Sequence, residues 1–302
     1  MSTQAKTSKP DLSEKFKFES ENYLAQRIQH FNHGEFEFKV IDTGPLDGKP
    51  VILLHGFPEV ASSWEKLSDI LIQHGYRTFA IEQRGYSKHA SPKGRFQYRI
   101  DQLAGDVYQF IKKIQQPVYL IGHDWGSIVA CELARRNPEV IKHLTLVSVP
   151  HKGAFIQAMF SSAQIFASYY MAFFQLPVIP EFVFKKMPKF KHYFLKNSGM
   201  TDEQIADFNQ NFIEEDRIGT AINWYRSMPL TSPRSIFQKI TVPTLFVWGK
   251  KDIAVWEKSA HLNKKYFSNT YREAFLDATH WIPNQNAQEL SLHFFNAVKV
   301  GE

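Results

Sequence analysis

The stretch Val118-Tyr-Leu-Ile-Gly-His-Asp-Trp-Gly-Ser127 runs from an aliphatic strand pattern into a tight turn, and Ile128 to Arg136 then reads as a helix. Glycines stand two before and two after Asp124, the central residue. A strand that turns this sharply into a helix holds its central residue in a strained backbone conformation, where Cβ atoms at the flanking positions would collide. The central side chain is lifted above the carboxyl edge of the sheet, where open α/β sheets bind ligands. A carboxylate at that point, with an ordinary pKa of ~3.9, is ionised at neutral pH and needs no base to become a nucleophile. It can displace a leaving group from an sp3 carbon and form an alkyl ester. Ser127 lies outside the centre of the turn, which disfavours serine chemistry.

Outward from this turn, Val51 to Leu54, Arg77 to Ile81 and Leu144 to Val149 are further aliphatic runs that each precede a turn or helix, the alternation of a parallel sheet with crossover helices. Phe36 to Asp42, followed by the turn-forming Gly44-Pro-Leu-Asp-Gly48, reads as an edge strand paired antiparallel to its neighbour. From about His151 to Arg234 no strand-like run occurs, but aromatics recur at helical spacing and Thr201-Asp-Glu-Gln204 forms a capping box. Strands resume at Pro243 to Trp248 and Tyr271 to Leu276, so a helical segment interrupts one sheet. The expected division is a polar tail over 1–20, a first core part over 21–150, a helical lid over 151–238 and a second core part over 239–302.

An ester on Asp124 must be hydrolysed, which calls for a histidine general base oriented by an acid. In this strand-turn-helix arrangement the chain order is nucleophile, acid, histidine. Asp252 follows the strand ending at Trp248, in Gly249-Lys-Lys-Asp252, and His280 follows the strand ending near Leu276, in Asp277-Ala-Thr-His-Trp281. Asp277 more naturally shapes the turn. The run Val51 to Leu54 enters His55-Gly-Phe-Pro-Glu59, whose loop is placed to supply a backbone N–H. The N–H groups of Phe57 and Trp125 would form an oxyanion hole. For His55 and Glu59, hydrogen bonding within the loop is the favoured role.

Composition excludes several classes. With 302 residues and 43% apolar content the chain can bury a large core, so disorder is not the reading. The formal charge of +6 comes from scattered lysines with no groove-reading motif, so no nucleic-acid partner is expected. The single cysteine, Cys131, has nothing to pair with and reads as a packed core residue. Residues 1–21 lack the apolar run of a secretory signal, and no stretch reaches the ~18 apolar residues of a membrane span. A cytoplasmic location without membrane association is the expectation. Lys185, Lys186, Lys189, Lys191 and Lys196 interleave with Phe190, Tyr193 and Phe194, which reads as the solvated face of a short helix broken near Pro188 rather than a membrane-binding surface.

The ordered motifs resemble those of the α/β-hydrolase-fold epoxide hydrolases, soluble epoxide hydrolase-like, over roughly residues 25 to 298. The family's H-G-x-P and G-H-D-W-G correspond to His55-Gly-Phe-Pro58 and Gly122-His-Asp-Trp-Gly126, and Gln83-Arg-Gly-Tyr-Ser87 matches a further stretch. The resemblance implies an α/β-hydrolase fold: a mostly parallel sheet, helices on both faces and an inserted helical lid. It also implies two lid tyrosines whose hydroxyls donate to the epoxide oxygen. Tyr170, with Tyr169 as the fallback, and Tyr225 fall in matching segments. A phenol of ordinary pKa ~10 can hydrogen-bond or protonate a developing alkoxide in a water-poor pocket. Trp125, Phe57, Tyr169 and Phe173 are the candidate substrate-contacting residues. Glu82 stands where the family often has Asp, and Tyr169 where many members have Trp, a change that bears on pocket shape.

The implied activity is opening of a small apolar epoxide by water to a vicinal diol, without metal or organic cofactor. A haloalkane dehalogenase would share Asp124, His280 and an acid, with Trp125 holding halide, but the paired tyrosines and Phe57 argue against it. A haloacid dehalogenase would want a cation at position 125, and an esterase a serine at 124. A catalytically silent ligand-binding module would not need a water-activating base. Which epoxide is used, and the oligomeric state, are not legible from sequence.

Overall fold

A computed structural model describes residues 23–299; the predicted polar tail over 1–20 lies outside the described residues. Eight strands form one sheet: β1 (His30–His33), β2 (Phe36–Thr43), β3 (Lys49–Leu54), β4 (Tyr76–Ile81), β5 (Val118–His123), β6 (Ile141–Val147), β7 (Thr244–Gly249) and β8 (Tyr271–Leu276). Their spatial order is β1-β2-β4-β3-β5-β6-β7-β8. The six strands from β4 to β8 across the sheet are parallel, and β2 is antiparallel to both β1 and β4.

The antiparallel strand over Phe36 to Asp42 is therefore not the edge: the edge is β1. Its sequence, His-Phe-Asn-His, buries only Phe31 deeply, so it offers no strand-like apolar run to read. Strand β6 begins three residues before the predicted Leu144, because Lys142 and His143 interrupt the apolar run. Lys142 is exposed, whereas His143 is buried against the Phe294 ring.

The parallel strands are buried on both faces. Ile52, Leu54 and Leu120 join the core beneath α2 (Ile100–Ile114) and α3 (Trp125–Arg136). The alternating residues Val51, Leu53, Tyr119 and Ile121 join a second core beneath α1 (Glu65–Gln73) and a C-terminal helix, Ala287–Val298. Period-two alternation with both faces apolar is what helices packed on each side of a parallel sheet require. Cys131 is buried in the first core, and burial pushes its thiol up to about 12, far from reactive.

Between β6 and β7 the chain runs through α4 (Lys152–Met159), α5 (Gln164–Ala167), α6 (Tyr169–Gln175), α7 (Ile179–Lys186), α8 (Pro188–Asn197), α9 (Asp202–Phe208), a π-turn over Asn209–Glu214, α10 (Ile218–Ser227) and α11 (Pro233–Ile236). Thr201 and Gln204 close both arms of the capping box at the start of α9. After β7 come α12 (Glu257–Leu262), and after β8, α13 (Ile282–Gln285) and α14, the C-terminal helix.

Candidate active site

Asp124 sits between β5 and α3 with φ 51° and ψ −119°, a left-handed conformation that non-glycine residues seldom adopt. The flanking glycines are sterically required. A Cβ on Gly122 would come within 2.3 Å of the Gly126 carbonyl oxygen, and one on Gly126 within 2.0 Å of the Leu54 oxygen. Gly56, in the loop after β3, is equally constrained, since its Cβ would meet Asp124 Cβ at 2.4 Å. This absence of side chains brings the β3 loop against the turn, and the Phe57 N–H donates to Asp124 Oδ1 at 2.8 Å. Trp125 opens α3, so its N–H is one of the first-turn donors that a helix leaves without an internal partner. Ser127 is fully buried and its hydroxyl donates to the carbonyls of Gly122 and Val147, holding the turn against β6.

His280 faces the other carboxylate oxygen, its Nε2 3.6 Å from Asp124 Oδ2, while its Nδ1 is 2.6 Å from Asp252 Oδ2. Asp252 is fixed in turn by the N–H groups of Ala254 and Val255, which both donate to its Oδ1. Asp277, the other acid nearby, is exposed and pairs with Lys251. Burial by itself would lower the His280 pKa. The Asp252 charge, with the hydrogen bonds and charge of Asp124, outweighs it and raises the imidazole to about 10.

Tyr225 on α10 and Tyr170 on α6 line the same space as Asp124, with ring centroids 6.0 Å apart. Burial first, then the Asp124 charge, pushes both phenols well above their ordinary pKa, so both hold their protons. Tyr225 is clamped among Trp125, Phe57 and Phe174 at 5.0, 5.4 and 4.8 Å, edge-to-face or tilted contacts worth about 0.5–1.5 kcal/mol each. Gln175 Nε2 donates to the Tyr225 carbonyl, and Arg226 binds the Phe174 and Leu176 carbonyls and the Glu181 carboxylate. These bonds tie α6, α7 and α10 into one unit.

Asp124 lies where two cavities meet. One, of about 180 Å³, is lined by aromatic groups including Phe57, Phe174, Phe194 and Trp281. The other, of about 280 Å³, is mainly aliphatic, with Ile128, Val149, Met171 and Val255. Trp125 faces the second cavity and Tyr169 the first. Phe173 lines neither; its neighbour Phe174 does, because α6 turns that next residue inward. The lysine-aromatic segment is broken at Pro188 and exposes Lys185, Lys186, Lys189 and Lys196 as expected, but departs in its other residues. Phe190, Tyr193 and Phe194 line the first cavity, and Lys191 is mostly buried.

Two further groups stand in motifs whose role the sequence does not state. His123 Nδ1 meets Glu59 Oε2 at 3.0 Å and its Nε2 meets the His280 carbonyl oxygen at 2.9 Å, so both ring nitrogens face acceptors. Ser148 donates to the same carbonyl at 2.6 Å, and Asn284 Nδ2 binds the other Glu59 oxygen. The backbone of His280 is thus held from behind the Asp124 turn. The Gln83-Arg-Gly-Tyr-Ser87 stretch is a bracket: Gln83 bonds to His55, while Trp224 and Thr220 on α10 donate to the carbonyls of Arg84 and Gly85. It links the Phe57 loop to the helix that carries Tyr225. His55 and Glu59 take part in hydrogen bonds within and behind the loop, as expected from sequence.

The family described as alpha/beta hydrolase fold matches residues 49–287. A Bacillus subtilis AB hydrolase superfamily protein is 30% identical over 86% of this chain and 93% of its own. Mouse epoxide hydrolase 4 is 32% identical over 78% of this chain and 69% of its own. Among solved structures, an inhibitor-bound epoxide hydrolase of Bacillus megaterium superposes with TM-score 0.79 at 22% identity, covering 90% of this chain and all of that one. One from Vigna radiata gives 0.72 at 22% identity, over 89% and 96%. With that profile match, those relatives and the strained Asp124 turn at the carboxyl edge of the sheet, the chain belongs to the α/β-hydrolase-fold family, among its epoxide-hydrolase-like members.

Proposed function

We propose that the protein hydrolyses epoxides to vicinal diols through a covalent ester on Asp124, with the helical insertion over 151–238 as a lid. The observation that carries this is the convergence on one carboxylate of a histidine-acid pair from below and two protonated phenols from above.

In the resting enzyme His280 carries a proton because Asp252 and Asp124 both favour its charged form. Asp124 attacks one epoxide carbon, the carbon–oxygen bond breaks, and Tyr170 or Tyr225 gives its proton to the leaving alkoxide. The phenolate regains a proton from His280, which becomes neutral. Esterification removes the Asp124 charge, and with it one of the interactions that raised the imidazole, so His280 is left as a competent base. Water then attacks the ester carbonyl as His280 takes its proton. The Phe57 and Trp125 N–H groups stabilise the oxyanion. Collapse expels the diol alkoxide, which takes that proton, and Asp124 loses its own proton to His280, restoring the starting state. Over the cycle one epoxide and one water give one diol.

A parallel assay of the purified protein on aryl and alkyl epoxides and on haloalkanes, scoring diol and halide with Asp124→Ala as blank, tests this reading. Diol that disappears in the blank is expected. Halide release without diol would reassign the protein to dehalogenation, and diol formation undiminished in the blank would remove Asp124 from the chemistry.

A further inference from the structure

Of the seventeen large apolar side chains that are exposed among the described residues, eleven fall within 160–193, so the outer face of the insertion is far more apolar than the rest of the surface. Isolated exposed apolar residues need no explanation, but a contiguous patch marks an interaction surface. Three of the eleven, Tyr169, Phe190 and Tyr193, line the mouth of the aromatic cavity together with Ile253, yet are 66, 43 and 67% exposed, and Ile253 49%. Phe166, 77% exposed, extends the patch from α5, whose buried Gln164 is bonded to Ala254 and Trp256 of the neighbouring loop.

The unpaired charge beside this mouth is cationic: two exposed lysines, Lys186 and Lys189. Residues 151–200 contain six lysines and one carboxylate, Glu181, which Arg226 holds. Three of these lysines are paired with carboxylates, Lys152 with Glu132 being the first, and Lys191 is mostly buried. Asp202 and Asp216 pair with Lys196 and Lys185, while Glu203 and Asp207 line a separate cleft with Glu59 and Glu65. Lys186 and Lys189, which flank Pro188, are exposed and make no ion pair among the described residues. A lysine-flanked aromatic surface repels a second copy of itself and complements an anionic bilayer, whose interface takes up aromatic rings and attracts basic side chains.

We propose that this face docks on anionic lipid membranes, with the cavity mouth against the bilayer. No helix among the described residues is long and apolar enough to cross a membrane, so the contact is peripheral. Docking rests on the surface alone. Its consequence, that apolar epoxides enter from the lipid phase, rests also on the function proposed above.

The test is flotation of the full chain with phosphatidylcholine vesicles, with and without about one-third phosphatidylserine, at low and high salt. Binding to the anionic vesicles that weakens with salt is expected. Lys186→Glu with Lys189→Glu should lower vesicle affinity at least about 25-fold, taking about fivefold per lysine neutralised. Phe166→Ser should also weaken it, and both variants should keep wild-type turnover of a water-soluble epoxide. No flotation, equal binding to both vesicle types, or unchanged binding by the variants overturns the proposal. So does a dimer in solution that Phe166→Ser dissolves, because the face would then be covered by a second copy. A protein that floats but opens no epoxide keeps this inference and loses the functional one.

Discussion

The turn around Asp124 and the helical insertion above it contribute to one site, yet they are built by opposite rules. In the turn almost every atom is prescribed: a left-handed Asp124, glycines that admit no Cβ, and Ser127 bonded to both flanking strands. In the insertion the backbone is mostly short helices, with a π-helical stretch at Asn209–Glu214, and the outcome lies in which aromatic rings face inward. Phe173 and Phe174 are adjacent and chemically identical, but only the second lines the cavities that meet at Asp124. The first region tolerates no change, whereas the second tolerates many on its outer face.

The largest break in that comparison should come from Gly126→Ala. Its Cβ lies 2.0 Å from the Leu54 oxygen, backbone that cannot move without shifting β3. A loss of about 3 kcal/mol or more is expected, lowering the melting temperature by roughly 6–12 °C in circular dichroism. A melt within a degree or two of the parent would show that the turn is looser than its geometry.

Next in size are the phenols. Tyr225→Phe and Tyr170→Phe should each slow single-turnover ester formation by about 10²-fold, and the pair should nearly abolish it, while leaving ester hydrolysis unchanged. Rates unaffected by either change would remove the tyrosines from epoxide opening.

The fold and the turn were legible because their constraints are local. Glycines at fixed spacing around Asp124, aliphatic runs at Val51, Arg77 and Val118, and the order Asp124, Asp252, His280 all state their geometry in the sequence. What was not legible depends on partners far away in the chain. His123 reads as a motif residue, but its contacts are Glu59, 64 residues earlier, and the His280 carbonyl, 157 later. The lysine segment reads as a solvated face because helical spacing cannot say that Phe190 and Tyr193 border a cavity. The edge strand β1 escaped notice because two histidines and an asparagine surround its single core residue.

His123→Gln asks how firmly the turn holds His280. Removing one of its two hydrogen bonds should let His280 drift, lowering kcat about tenfold to a hundredfold with ester hydrolysis slowed and ester formation spared. A change in KM alone would make His123 a packing residue.

A pH comparison separates the charges. His280 has a folded pKa near 10, above its ordinary 6.5, so the stability it contributes is fully present below about pH 6.5 and is lost as pH rises through 10. In Asp124→Asn, a neutral counterpart of the ester, the imidazole loses one raising partner and its pKa falls. The decline in melting temperature from pH 6.5 to 10 should therefore be smaller in Asp124→Asn than in the parent. An equal or steeper decline would mean that Asp124 does not hold the His280 proton.

The smallest effect belongs to the outer face of the insertion. Phe166→Ser, at a side chain 77% exposed, should change stability by less than about 0.5 kcal/mol, against the large loss at Gly126. A comparable loss would place Phe166 in a packed contact.

The central claim is that Asp124 becomes an ester that only His280 can release. Intact-mass measurement of His280→Gln after incubation with a turned-over epoxide, followed by peptide mapping, tests it most directly. The expected result is a mass increase of one substrate on the peptide carrying Asp124, absent in the parent once the epoxide is consumed and absent in Asp124→Ala. An inactive His280→Gln protein that stays unmodified through exposure to that epoxide would contradict it.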